Sequence, residues 1–170
     1  ADRSYLAYVA VRLGLRPLVV HVDTGWNSET SIANIESLVR ALSLRIEIVK
    51  IDWSEMRDLQ VAFYKAGVMN CEIPQDHAFL AVLYQVAAKN DLRFILTGGN
   101  LAAESVLPRS WGYNAGDLRY LLDVQKKFGT VRLERYPMLS FWNRYAYYPF
   151  IRGIKEVRLL NYLPYNKIRA

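Results

Sequence analysis

The chain of 170 residues has little of what defines several large protein classes. Its single cysteine, Cys71, excludes an internal disulfide framework and an all-cysteine metal site within these residues. No uninterrupted apolar run reaches the roughly 18 residues that a membrane span requires, and no secretory signal is visible. We therefore expect a cytoplasmic protein that makes no contact with a membrane.

What the chain does contain is typical of one globular domain with a basic surface. Hydrophobic residues make up 52% of the sequence and charged residues 22%, enough to bury a core at this length. The formal net charge of +6 favours a polyanionic partner, and the surplus is uneven. Between residues 132 and 169 the only acidic residues are Glu134 and Glu156. A solvated basic face is the alternative explanation.

Helix and strand patterns alternate along the chain. Apolar residues at helical spacing predict helices over 6–13, ended by Gly14, over 32–42, over 52–63, and over 74–87. Asp52 and Glu55 form a capping box in this prediction. Strands are predicted over 16–23, buried on both faces, over 45–52 and over 92–99. A helix over 116–128 and a strand over 156–160 follow. The pattern predicts an α/β fold: a single Rossmann-like domain with a parallel sheet flanked by helices and a helical, aromatic-rich C-terminal part.

Polar residues and glycines occur where the predicted strands end. "HVDTGW" ends the first strand, "TGGN" ends the third, and "ADRS" begins the first helix. Ligands of open parallel sheets bind outside the carboxyl ends of the strands, and helix N-termini favour phosphate. Taken together these stretches favour a nucleotide site. Taken singly, Asp23 could be a loop carboxylate and the two glycines at 98–99 a tight turn.

These pieces resemble the PP-loop ATP pyrophosphatase superfamily, whose phosphate loop reads SGGxDS. Ala1 and Asp2 match its x and D, Arg3 replaces the following serine, and Ser4 comes next. The strand and loop glycines that precede this point in the family, and some C-terminal residues, are expected to lie outside the 170 residues. Within the superfamily, five stretches resemble the N-acetyl sugar amidotransferase family of surface-polysaccharide and O-antigen biosynthesis: "GLRPLVVHVDTGWNSET", "WSEMRDLQVAFYKAGV", "IPQDHAF", "TGGNLAAES" and "LLNYLPY".

The resemblance implies an ATP-dependent, AMP-forming ligase. ATP would activate the carbonyl oxygen of an N-acetyl group on a nucleotide-linked sugar, and ammonia would then displace AMP to leave an acetamidino group. The implied cofactors are ATP and Mg²⁺. The implied partners are a glutaminase subunit and a cyclase-like subunit of the imidazole-glycerol-phosphate-synthase kind, which supply ammonia. Cys71 is not expected to be the glutaminase nucleophile, because it would need a paired histidine and an oxyanion turn.

The resemblance also assigns roles to residues. The implied catalytic residues are Asp2, Asp76 and Glu104, with Asp2 also binding Mg²⁺. The implied ATP and pyrophosphate ligands are Ser4, His21, Val22, Asp23, Gly98, Gly99 and Asn100. The implied substrate contacts are Gln75, His77 and Trp111. Structural alternatives exist for several of them: Asp76 as a helix N-cap, His21 as a core histidine, and Arg3 as a surface residue.

Two other functions fit the same fold. A PP-loop enzyme that modifies tRNA, of the thiolation or lysidine type, agrees with the basic charge, but the thiolation enzymes commonly use cysteine pairs. A nucleic-acid partner is therefore not expected. A non-catalytic module that binds adenine nucleotides is favoured if Arg3 blocks the pyrophosphate position.

Overall fold

The predicted helices and strands occur in the predicted order along the chain, with one further helix that was not predicted. The structure, a computed structural model, describes residues 2–99 and 114–162. The first half contains α1 (Asp2–Arg12), β1 (Leu18–Asp23), α2 (Glu29–Ala41), β2 (Arg45–Lys50), α3 (Trp53–Lys65) and α4 (Ile73–Lys89). The second half contains β3 (Phe94–Leu96), α5 (Leu118–Phe128), a π-helix (Asn143–Ile151), β4 (Lys155–Val157) and a 3₁₀ turn (Leu159–Tyr162).

The strands form two parallel pairs. β1 pairs with β2, with Leu18 opposite Arg45, and β3 pairs with β4, with Phe94 opposite Lys155. The mixed α/β architecture with parallel strands is confirmed. The single sheet is not seen, because β1 and β3 each have a strand partner on only one edge within the described residues. α4 packs against both β1 and β3 and so connects the two pairs.

The larger core lies between the β1–β2 pair and the helices α3, α4 and α5. Leu18, Val20 and Val22 alternate along β1 and pack against this core. The largest fully buried side chains of α3 are Met56, Leu59 and Phe63, as the helical spacing predicts. The prediction that β1 is buried on both faces is wrong: its residues are all half-buried. The opposite face of the pair is covered loosely, because α2 has no buried residue.

A second core lies on the far side of α4, where the π-helix packs. The rings of Tyr84 on α4 and Tyr148 on the π-helix stack with centroids 5.0 Å apart. At one end of this contact, Leu139 binds His77 near the start of α4. At the other end, Nη2 of Arg152 donates to Asp91 just beyond the end of α4, across 3.0 Å. The π-helix therefore runs along α4 in the same direction.

The first turn of α3 shows half of the predicted capping box. Asp52 is the N-cap, and its Oδ1 accepts the backbone N–H of Ser54 at 3.0 Å. Glu55 does not return to the N–H of Asp52. It is buried and accepts the backbone N–H groups of Arg135 and Tyr136 at 3.0 and 2.7 Å instead. A long-range contact has replaced the local one, because the buried N–H of Tyr136 and the partly buried N–H of Arg135 require an acceptor.

Several predicted boundaries move inward. The strand over 92–99 is reduced to β3, the strand over 156–160 shifts to β4, and the helix over 116–128 begins at Leu118 after its N-cap Asp117. The π-helix was not predicted, because its aromatic residues show no regular apolar period. Among the described residues, no helix has both the length and the apolar content that crossing a membrane requires.

Candidate functional site

The carboxyl end of β1 is a compact polar turn. Oδ1 of Asp23 accepts the backbone N–H of Gly25 at 2.9 Å and the side-chain amide of Asn27 at 2.8 Å. The same amide nitrogen lies 3.2 Å from Nε2 of His21. Asn27 thus joins the two polar residues that were predicted to flank ATP. Val22 points into the larger core, so any contact with a nucleotide would come from its backbone.

His21 also faces a shallow cleft under α2. The cleft holds about 350 Å³ and is lined mainly by apolar side chains of α2 and β2, among them Ile35, Val39, Ile46 and Ile48. His21 stands where this cleft meets the end of β1. The cleft lies beside a helix, α2, that has no fully buried residue. The prediction of His21 as a nucleotide contact stays a prediction; the side chain is half-buried, and Asn27 contacts its Nε2.

The N-terminus of α4 lies beside the end of β1. Oγ1 of Thr24 donates a long hydrogen bond to Oε1 of Gln75 across 3.5 Å, and Thr24 is buried. The sequence analysis named Gln75 as a substrate contact but did not name Thr24 as a site residue. The only sequence feature that pointed to Thr24 was its position directly after Asp23. This contact brings two predicted ligand-binding stretches, "HVDTGW" and "IPQDHAF", to one end of the strand pair.

Asp76 lies within the first turn of α4 and is not its N-cap. The helix begins at Ile73 after Glu72, with Pro74 in the first turn, where a missing N–H costs nothing. Burial raises the pKa of Asp76, the nearby Glu72 raises it further, and the guanidinium of Arg3 acts in the opposite direction. A half-buried carboxyl group with a raised pKa at a helix N-terminus is a candidate for acid–base or ligand chemistry.

His77 is a structural centre of this region. It is fully buried, and Leu139 donates its backbone N–H to Nε2 at 3.1 Å. Nδ1 lies 2.7 Å from the carbonyl oxygen of Ala115, which can only accept, so Nδ1 carries the proton. Burial lowers the pKa of His77, which agrees with a neutral ring. Both ring nitrogens are therefore engaged by the backbone, and the predicted substrate contact of His77 has no support from this geometry.

The N-terminus of α1 approaches α4 through Arg3. Its guanidinium carbon lies 5.6 Å from the ring centroid of Phe79, within the range of a cation–π contact. Because Arg3 also acts on the pKa of Asp76, it is directed across to α4. Ser4 is exposed next to it. The first turns of α1 and α4 thus present backbone N–H groups and one guanidinium near the end of β1.

Gly98 and Gly99 follow β3 and are half-buried. Their predicted contact with ATP stays a prediction. The predicted residues Asn100, Glu104 and Trp111, and the side chain of Asp2, lie outside the described residues. Within the described part of the chain, no group of three or more His, Cys, Asp or Glu side chains could hold a metal ion.

The site therefore brings together the end of β1 and the first turns of α1 and α4. No protein-family model matches the chain, and no curated protein matches it either.

Proposed function

We propose that the chain is the ATP-binding, AMP-forming part of an amidotransferase that acts on a nucleotide-linked N-acetyl sugar. The observation that carries this proposal is the Thr24–Gln75 contact, which joins the carboxyl end of β1 to the N-terminus of α4. Together with Arg3 at the start of α1, it gathers N–H groups, a guanidinium and the carboxyl groups of Asp23 and Asp76 around one end of the strands. Such an arrangement suits a polyphosphate.

The proposed fold is the Rossmann-like PP-loop type. In this fold a strand that precedes α1 would lie between β1 and β3 and join the two parallel pairs into one sheet. The contact of α4 with both β1 and β3 supports this, since one helix then covers the position of the additional strand. Amide hydrogen exchange tests it in the full-length protein. In β1, every second backbone amide points away from β2. These amides would exchange slowly if a further strand pairs with the free edge of β1.

In the proposed reaction each region has its own task. The first turn of α1, with Ser4, and the first turn of α4 would bind phosphate groups. Asp23 and His21 would contact the adenosine. Asp76, whose pKa is raised, would hold or transfer a proton at the acetamido group. Asp2 would bind Mg²⁺, which supplies charge neutralisation at the phosphates when it is bound.

The experiment incubates the full-length protein with ATP, Mg²⁺, ammonium chloride and a panel of nucleotide-linked N-acetyl sugars. We expect AMP and pyrophosphate to form only with one sugar, because ammonia must have an activated acetamido group to attack. Mass spectrometry would show a product about one mass unit lighter than the sugar, since NH replaces oxygen. AMP formation that does not depend on any sugar would contradict the proposal.

Asp76→Asn is the informative variant. It should lower sugar-dependent AMP formation at least about 100-fold if Asp76 transfers a proton. It should not unfold the protein, because burial already disfavours the charged form of this carboxyl group. Asp123→Asn, on the exposed face of α5, is the matched control and should keep full activity.

The non-catalytic alternative depends on Arg3, which stands where the PP-loop motif has a hydroxyl residue. If Arg3 blocks the pyrophosphate position, the natural protein binds ATP without forming AMP, and Arg3→Ser gains activity. If Arg3 neutralises phosphate charge, Arg3→Ser weakens ATP binding and lowers the rate. Isothermal titration with ATP and the AMP assay on both proteins separate these outcomes.

A further inference from the structure

The amino ends of β3 and β4 carry a surface that combines apolar and cationic side chains. The exposed fraction is 62% for Phe94, 83% for Phe150 and 74% for Ile151, values far above those of a packed side chain. We call this region the amino-end surface and define it by Leu92, Arg93, Phe94, Phe150, Ile151 and Lys155. All six residues are exposed.

Two chain segments form the amino-end surface side by side. The backbone N–H of Lys155 donates to the carbonyl oxygen of Arg93 across 2.8 Å, and Lys155 is the register partner of Phe94. Arg152, one residue after Ile151, reaches back to Asp91 at 3.0 Å. Residues 91–94 and 150–155 therefore make one continuous edge of the molecule.

The charge of this edge is positive. Arg93 and Lys155 are exposed, and neither takes part in an ion pair within the described residues. The acidic side chain at the same edge, Asp91, is paired with Arg152. The sequence has no acidic residue between Glu134 and Glu156. Exposed aromatic and aliphatic residues thus share this edge with two cations that form no ion pair within the described residues.

We propose that the amino-end surface docks on a membrane that contains anionic lipids. Bulky apolar side chains enter the boundary between headgroups and acyl chains, and neighbouring cations meet the lipid phosphates. A second copy of the chain fits less well, because a symmetric contact would bring the cations of the two copies together. This proposal departs from the expectation of the sequence analysis that the chain makes no contact with a membrane. This proposal does not depend on the ATP chemistry.

The position of the surface in the fold agrees with this role. It lies at the amino ends of β3 and β4, near the end of α4, whereas the candidate site lies at the carboxyl end of β1 and the start of α4. A membrane bound to the amino-end surface would leave the ends of β1 and the first turns of α1 and α4 open to solvent. A nucleotide could then reach them while the protein is docked.

The experiment is cosedimentation of the full-length protein with vesicles of phosphatidylcholine alone, or mixed 70:30 with phosphatidylglycerol. We expect binding to the mixed vesicles that weakens when NaCl rises from about 0.1 to 0.5 M. Phe150→Ser should lower the partition coefficient about tenfold. Lys155→Gln should lower it about fivefold, as expected for one cation near an anionic surface.

The matched controls change the same residue types elsewhere. Met69→Ser removes an exposed apolar side chain beside α3, and Lys127→Gln removes an exposed cation on α5. Both should bind vesicles like the natural protein, and thermal melts should show that all four variants fold. No binding to the mixed vesicles, or equal binding by Phe150→Ser, overturns the proposal. Light scattering that shows a dimer lost in Phe150→Ser, without vesicle binding, would assign the surface to self-association instead.

Discussion

Nε2 of the buried His77 accepts the backbone N–H of Leu139 at 3.1 Å, although the two residues lie 62 positions apart. The other ring nitrogen binds the carbonyl oxygen of Ala115. One side chain of α4 therefore fixes two distant segments, the approach to α5 and the approach to the π-helix. Tyr136 adds to this centre, since its hydroxyl donates to the carbonyl oxygen of Pro74 at 2.6 Å.

His77→Phe should destabilise the protein strongly. The substitution keeps an aromatic ring but leaves one backbone N–H and one carbonyl group buried without their partners. We expect a loss of about 2–4 kcal/mol in the free energy of unfolding, from two unsatisfied groups. Urea unfolding at pH 7.5 measures it. A loss below about 0.5 kcal/mol would show that water or a rearranged backbone satisfies both groups.

The same histidine predicts a dependence of stability on pH. Its pKa is lowered in the folded state, so the unfolded chain binds a proton at a higher pH than the folded protein does. Stability should therefore fall as the pH drops below about 6.5, the ordinary value for histidine, and this loss should end once the pH is below the folded pKa. In His77→Phe this contribution to the slope should be absent. Parallel slopes for the two proteins between pH 5 and 7 would contradict the prediction.

Asp58 predicts a second dependence on pH in a more acidic range. Its carboxylate accepts the backbone N–H groups of Thr130 and Val131, each at 2.9 Å, and the side chains of Thr130 and Gln125. Burial opposes the charged form, but these hydrogen bonds outweigh it and lower the pKa of Asp58 to about 2. The stabilisation is present above the unfolded pKa, near 3.9, and is lost as the pH falls towards 2.

Asp58→Asn should lower the free energy of unfolding by about 1 kcal/mol at pH 7, a value reduced for the partial exposure of this site. The difference from the natural protein should shrink as the pH falls below 4. Urea unfolding at pH 7, 4 and 3 measures it. Asp123→Asn, which removes an exposed carboxylate of α5, is the control and should change stability by less than about 0.5 kcal/mol. An equal loss at all three pH values would refute the role assigned to Asp58.

The elements set by local patterns were predictable from the sequence, and the long-range contacts were not. The helical face with Met56, Leu59 and Phe63 follows from spacing alone, because one apolar stripe must be buried. The partners of Glu55 and His77 could not be predicted, since both bind backbone groups whose position depends on the whole fold. At the site, the end of β1 was predicted from the strand pattern, whereas the start of α4 was named as a helix start and through the resemblance. The orientation of Arg3 towards Phe79 needed the packing of α1 on α4.

Glu55 is expected to hold the segment around Tyr136 in place. Glu55→Ala leaves the N–H groups of Arg135 and Tyr136 without an acceptor next to the core, and we expect a loss of about 2–4 kcal/mol. Glu55→Gln keeps one acceptor oxygen and should cost about half as much. Glu134 is exposed and directly precedes Arg135 in the chain, so Glu134→Gln should hardly change the free energy of unfolding measured in urea. A ranking in which the glutamine variant is the less stable of the two at Glu55 would disprove the acceptor role.

Gly25 is expected to tolerate no side chain, because two separate constraints act on it. Its φ is +86°, and a Cβ atom there would lie 2.3 Å from the ring of Trp53. Gly67 has a φ of +63° but open space around it, so Gly67→Ala isolates the cost of the backbone, about 1 kcal/mol. Gly25→Ala should lose clearly more stability than Gly67→Ala. The backbone N–H of Gly25 also donates to Asp23, so Gly25→Ala should weaken ATP binding in the proposed site.

The collision with Trp53 can be tested separately from the backbone strain. In a Trp53→Leu background, Gly25→Ala should cost no more than Gly67→Ala does, since the ring that would meet the new Cβ is gone. The coupling energy from this double-mutant cycle should be about 1 kcal/mol or more. Urea unfolding of the four proteins measures the cycle. Additive effects would show that the turn after β1 shifts away from Trp53 at little cost, and then the geometry around Asp23 is less rigid than the hydrogen bonds of this turn indicate.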